Sequence, residues 1–125
     1  MAFKPVQMNI REFALANDNF KMDVATTDHM QCTVMCITPG EDIGMEEHPM
    51  DQYTFIVAGT GRVVLDGSKR DLKPDDMVTV PHGTEHNFIN TGKTDLKLFS
   101  VYSPEDIPAG ACYKTKADAL AADPD

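Results

Sequence analysis

The sequence predicts an all-β fold, a barrel or sandwich of short strands with a short helix at each end. Three observations carry that prediction. From Phe20 onward, apolar segments recur at a spacing of roughly 8–12 residues, separated by turn residues, which is the pattern of a sandwich or barrel. The punctuation is explicit: Pro39-Gly40, Gly59-Thr60-Gly61, Asp66-Gly67, Pro74-Asp75-Asp76, Pro81-His82-Gly83 and Asn90-Thr91-Gly92 are all turn chemistry. No segment of about 10–15 residues with helical periodicity lies between the strands, which argues against a parallel βαβ sheet.

Residues 9–16 carry a weak helical pattern, with Ile10, Phe13 and Leu15 apolar and Asn17 to Asn19 ending it. Strands are expected near 20–25, 30–38, 44–48, 52–58, 61–66, 77–80, 85–90 and 95–102. Residues 114–122 read as a final short helix covering one face, and Asp123 to Asp125 as a disordered tail. With no internal repeat, linker or low-complexity tract, one domain over residues 1–125 is expected, its barrel core at about 30–103.

Composition narrows the function classes. A content of 42% hydrophobic and 25% charged residues is ordinary for a soluble globular chain. The net charge of −9 repels a phosphate backbone and an anionic membrane surface. The densest basic stretch, Lys69-Arg70 with Lys73, is interrupted by Asp71, so no local patch offsets that field. No run approaches the ~20 apolar residues of a membrane helix, and Met1 to Gln7 lack the apolar region of a signal peptide behind Lys4. A cytoplasmic location is therefore expected. Cys32 and Cys36 fall in one expected strand, roughly 13 Å apart at ~3.3 Å per residue, too far to bridge. They read as buried thiols, and Cys112 stands alone.

Two segments carry chemistry. The first is Gly40-x5-Glu46-x-His48-x3-Gln52-x6-Gly59. On a strand, Glu46 and His48 project to one face. Beyond the Pro49-Met50-Asp51 bend, Gln52, Thr54, Ile56 and Ala58 face one way, and Tyr53, Phe55 and Val57 the other. The second segment, Asp75-x5-Pro81-x-Gly83-x2-His86-x3-Asn90, reads as strand, tight turn, strand, with His86 just after the turn. Gly40, Gly59, Gly61, Pro81 and Gly83 are conformational, and Asn90 reads as structural. His29 and His82 read as solvated loop residues. Tyr53, Tyr102 and Phe88 either line a pocket or fill the barrel.

These paired segments resemble the two motifs of the cupin superfamily, over roughly residues 30–103. The second motif matches at Pro81, Gly83, His86 and Asn90. In the first, Glu46 stands where the family usually has a His, Gln52 where it has a Glu, and Asp75 replaces a turn glycine. The resemblance implies a double-stranded β-helix, or jelly-roll barrel. Carried over position by position, it implies metal ligands at Glu46, His48, Gln52 and His86, with Glu47 competing for the place of Glu46 if the strand is bulged. Two imidazoles and a carboxylate suit Fe(II), and also Mn, Ni or Zn; Gln52 would add a carbonyl oxygen or bond a bound water.

Among small cupins, the run His48-Pro49-Met50-Asp51-Gln52 resembles the subgroup described as mannose-6-phosphate isomerase-like. The resemblance implies a metal-dependent enzyme acting on a sugar-like or hydroxy-ketone substrate through an enediolate-like intermediate. Glu47, Tyr53 or an unligated Glu46 would be the general base. A non-haem dioxygenase and a non-catalytic binding barrel are the alternatives. Anionic substrates require Arg62, Lys93 or Lys97 to face the pocket, and a homodimer paired through sheet edges is expected.

Overall fold

The chain alternates turn and strand as its punctuation requires. In the computed structural model, which describes residues 3–122, the elements are α1 (Ile10–Ala16), β1 (Lys21–Thr26), β2 (Gln31–Ile37), β3 (Asp51–Ala58), β4 (Gly61–Leu65), β5 (Ser68–Leu72), β6 (Met77–Val80), β7 (His86–Asn90), β8 (Leu96–Ser103), β9 (Cys112–Tyr113) and α2 (Lys116–Ala122). One antiparallel sheet runs β6-β3-β8-β2-β1-β9, and a smaller one runs β5-β4-β7. Their facing sides enclose the core, as in a jelly roll, with Met35, Ile37, Ile56, Val63, Phe88 and Leu98 in one cluster. Phe88 is buried there, which stabilises the fold by about 1.5–3 kcal/mol at ordinary burial energies.

Period-two alternation settles the faces of β3. Gln52, Thr54 and Ile56 are buried on the inner side. Outside, Phe55 stacks on Phe99 at 4.8 Å, and Val57 joins Ala14 and Val34 beneath α1. That helix starts where Asn9 accepts a hydrogen bond from the Glu12 amide at 2.9 Å, satisfying an otherwise orphaned donor.

The strand expected at 44–48 does not form. Residues 42 and 46 make only isolated bridges, Asp42 to Ile89 and Glu46 to His86, because Gly44 (φ 93°) turns the chain out of extended geometry between them. Strand β5 was hidden by its polarity: Ser68 to Asp71 are exposed, so no alternation marks them. It pairs with β4 through the Asp66-Gly67 turn, where both residues have positive φ (46° and 84°) as a two-residue hairpin demands. Asp75 takes the left-handed conformation (φ 74°) expected of a residue standing for glycine. The two-residue β9 carries no period to read. Cys32, Cys36 and Cys112 are all free thiols. The tail expected at Asp123 to Asp125 lies outside the described residues. No helix among the described residues is long and apolar enough to cross a membrane.

Candidate metal centre and the cavity beside it

Backbone pairing brings the two sequence segments together. Glu46 and His86 exchange reciprocal amide-to-carbonyl bonds of 2.8 Å, and the Gly83 amide donates to the His48 carbonyl at 3.0 Å. The turn before β7 thus delivers His86 beside the 46–48 segment, opposite the inner face of β3.

His86 is 1% exposed. Its Nδ1 lies 2.8 Å from the Thr84 carbonyl, which can only accept, so Nδ1 carries the hydrogen. In the neutral ring Nε2 is then an acceptor, buried and without a partner among the described residues. Burial pushes the ring's pKa below 6.5, helped by the neighbouring His48 and opposed by the Thr84 bond, so the ring is neutral at pH 7. Gln52, also buried, donates from Nε2 to Thr54 Oγ1 at 2.8 Å, and Thr54 in turn bonds Ser100 at 2.7 Å. The Gln52 Oε1 atom has no partner among the described residues.

These two unpartnered acceptors border one small cavity of about 10 Å³, room for a single water or ion. The half-buried His48 ring packs edge-on against His86, 4.8 Å between centroids, and 6.0 Å from Tyr102. Glu46 lines the cavity from an exposed position at its rim. Three of the four residues carried over from the two motifs, Glu46, Gln52 and His86, therefore border one cavity, and His48 reaches it only through its ring contact with His86. The donor types fit a divalent transition ion: two imidazoles, an amide oxygen and a carboxylate, two of the donor atoms desolvated and without a partner among the described residues. Among the described residues, the one trio of His, Cys, Asp or Glu with ligand atoms all within 4.8 Å of one another is Asp18, Cys36 and Asp95. Glu46, His48 and His86 do not meet that distance together, so the three could share an ion only after side-chain movement.

The remaining candidates stand elsewhere. Tyr53 is 52% exposed on the outer face of β3, because residues adjacent to the inward Gln52 must point away from it. Glu47 is exposed and does not border the cavity, so neither expected base is placed to act there. Arg62 pairs with Asp71 at 3.4 Å, Lys93 is exposed, and Lys97 donates to the Leu15 carbonyl beneath α1 at 2.6 Å. None of these cations faces the site.

The cation that does is Lys21, at the start of β1. Its side chain is 12% exposed, donates to Tyr102 Oη at 3.1 Å and pairs with the Asp106 carboxylate. Burial alone would lower its pKa, but Tyr102, Asp106 and Glu46 raise it overall. At neutral pH Tyr102 is a phenol, its own pKa raised by burial, so the charges that hold the ammonium are Asp106 and Glu46. Sequence reasoning missed Lys21 because a lone lysine at a strand end reads as solvated, and its partners lie 81 and 85 residues away.

Lys21, Met35, Ile43 and Glu46 also border a second cavity of about 240 Å³, walled outside by Asp106 to Pro108 and by α2. Lys116 ties α2 to the 42–46 segment through Asp42 at 2.7 Å. The small pocket is ion-sized, and the larger one could hold a small organic molecule.

The profile of the cupin domain matches residues 33–102, more than half of the chain. The chain belongs to the cupin family. Cupins commonly bind a divalent metal. This cupin is 43% identical to the uncharacterized protein YrkC of Bacillus subtilis (strain 168), over 96% of this chain and 68% of that one. It resembles the crystal structure of BH2720 from Bacillus halodurans with a TM-score of 0.93 and 38% identity, covering 95% and 96% of the two chains. A 5-nitrosalicylic acid 1,2-dioxygenase of Bradyrhizobium sp. is 29% identical over 63% of this chain and 38% of its own length. The span matched to the family contains Glu46, His48, Gln52 and His86, whereas Lys21, Asp106 and α2 lie outside it.

Proposed function

We propose that this cupin is a metal-dependent enzyme acting on a small, oxygen-rich molecule, with the ion held by His48, His86 and Gln52 and closed by Glu46. The observation that carries this is the pair of buried acceptors, His86 Nε2 and Gln52 Oε1, without partners among the described residues and bordering one ion-sized cavity. Each costs stability as it stands, and a cation would satisfy both. Bound there, a divalent ion would polarise an oxygen of the substrate. The chain's own contribution is orientation. Thr84 selects the His86 tautomer, Thr54 holds the Gln52 amide, and the larger cavity receives the body of the substrate.

The isomerase-like version rests on the His48-Pro49 to Gln52 spacing and needs a base at the cavity. Of Glu46, Glu47 and Tyr53, only Glu46 borders it, so that version leaves the ion to His48, His86 and Gln52 and assigns an unligated Glu46 to proton transfer. A dioxygenase is the second reading, favoured by the partial similarity to the Bradyrhizobium enzyme.

Elemental analysis of the untagged protein, beside a His48→Ala/His86→Ala double variant of verified fold, tests the proposal. Near-stoichiometric metal in the wild type, lost in the variant, is the expected result. Dependence on both iron and oxygen would then select the dioxygenase. If neither protein holds metal, and Fe(II), Mn(II), Ni(II) and Zn(II) leave the melting temperature unmoved, a ligand-binding barrel replaces the metalloenzyme.

A further inference from the structure

Residues paired across an antiparallel sheet point to the same face, so the outer side of the larger sheet divides into rows running from β6 through β3, β8 and β2 to β1. One row is Thr79, Tyr53, Val101, Cys32 and Ala25, and the next is Met77, Phe55, Phe99, Val34 and Met22. None of these ten residues is charged, in a chain of which 25% is charged. Helix α1 accounts for one end of the face, where Ala14 and Phe13 pack with Val34, Val57, Met22 and Phe99. The other end is open. Tyr53 and Met77 are each 52% exposed there, and Met30, 47% exposed, shares a groove with Tyr53, Thr79 and Val101.

A second part of the chain is equally unpartnered. Residues 3–9, ahead of α1, are exposed and belong to no helix or strand. Phe3, Val6 and Met8 lie outside both core clusters, and residues 3–8 make no hydrogen bond to the described residues. The segment carries Lys4 and no acidic residue, and Pro5 favours an extended course. At ~3.3 Å per residue it reaches about 20 Å.

We propose that these two parts meet in a two-fold dimer, the arm of residues 3–8 from each copy lying on the open end of the other copy's outer sheet. Charge favours a second copy at this place. Two chains of net charge −9 repel each other over most of their surfaces. The uncharged rows and an arm with one cation and no acid let them touch without opposing carboxylates. The free edge of β5, by contrast, presents Lys69, Arg70 and Asp71, which blunt it against pairing. Area points the same way. From strand spacing and residue rise, the open part of the sheet offers roughly 300 Å², and an arm about 10 Å wide adds roughly 200 Å². With arm and sheet of both copies buried, the total is about 1,000 Å², the size from which a specific interface holds. Tyr, Phe and Met are also the residue types in which interface centres are enriched.

Gel filtration with light scattering on the full chain at micromolar concentration tests this, the expected mass being twice 13.8 kDa. The variants are Tyr53→Glu and Met77→Glu on the sheet and Val6→Glu/Met8→Glu on the arm, all at exposed positions and checked for fold by circular dichroism. Each should raise the dimer dissociation constant about 30-fold or more, as losing a central anchor does, whereas Arg70→Asp should leave it within about twofold. Mixing the Tyr53→Glu protein with the Val6→Glu/Met8→Glu protein rebuilds one intact arm-on-sheet contact, so the mixture should associate more tightly than either variant alone. A monomeric wild type overturns the inference. So does a dimer indifferent to both sheet variants, which would be held by another surface. A dimer that is lost with the sheet variants but kept by the arm variant, or no gain on mixing, overturns the arm as the occupant of the face.

Discussion

Gln52→Met keeps the approximate length and shape of the side chain and removes both polar atoms of its amide. Two opposing effects follow. Deleting the buried, unpartnered Oε1 relieves about 1–3 kcal/mol. Losing the 2.8 Å bond from Nε2 to Thr54 costs about 1 kcal/mol, and Thr54 keeps Ser100 as a partner, so nothing new is stranded. The net expectation for metal-free protein is a gain of about 1 kcal/mol, or about 4 °C in melting temperature for a domain of this size. Metal reverses the order. If Gln52 is a ligand, the variant loses about tenfold in Mn(II) affinity, worth about 1.4 kcal/mol at saturating metal, and Mn(II) does not accept a thioether in compensation. Calorimetric melts in EDTA and in excess Mn(II) should therefore show the variant gaining in the first and lagging in metal-induced shift by about 5 °C in the second. A variant that is less stable than wild type without metal, yet shifts fully with Mn(II), would refute the reasoning, because the amide oxygen would then serve the fold and not the ion.

Three further outcomes are expected. At pH 8 a disulfide thiol reagent should titrate Cys112 rapidly and Cys32 and Cys36 slowly. Burial, with Asp23 beside one and Asp95 beside the other, pushes both of the latter up to about 11 while Cys112 is exposed; more than one fast thiol in the folded protein would contradict the burial. The Asp42 carboxyl is held below 3.8 by hydrogen bonds from Lys116 and Asn87, so its contribution is present above that value and lost as pH falls through the lower folded value. Lys116→Met should speed amide exchange in residues 116–122 at pH 7 and make no difference once acid has protonated Asp42; equal exchange at both would mean the pair does not hold α2. Gly59→Ala and Gly67→Ala share a positive φ (87° and 84°), but only at Gly59 would the new Cβ approach a backbone oxygen, that of Asp95, at 2.5 Å. The second substitution should cost about 1 kcal/mol and the first at least about 3, and equal losses in denaturant melts would sink the steric account.

The inner row of β3 shows how far a sequence carries a site. Gln52, Thr54 and Ile56 were assigned one face because side chains on a strand alternate, and no tertiary contact can alter that without a bulge. The same rule placed Tyr53 opposite, so its disqualification as a base was already implicit in its neighbour. His86 was legible from the turn Pro81 to Gly83, whose residue types require a bend just there. Glu46 and His48 were legible as a pair but not as a strand, since Gly44 takes a left-handed conformation that periodicity does not record.

By itself, then, the sequence determined what depends on local chemistry: an all-β chain, the position of most strands, the turns, and a set of residues from two segments facing one place. Local rules suffice for these because period and turn geometry act over a few bonds. Only the tertiary structure decided what depends on distant partners. It showed which acceptors are left without partners, because that requires knowing everything near them. It placed Lys21 rather than Arg62, Lys93 or Lys97 at the cavity, through Tyr102 and Asp106 more than 80 residues along the chain. And it closed the larger cavity with α2 and the 106–108 segment, whose residues carry no motif of their own. A side chain's charge is written in the sequence, but the dielectric around it and the groups it faces exist only once the sheets have packed.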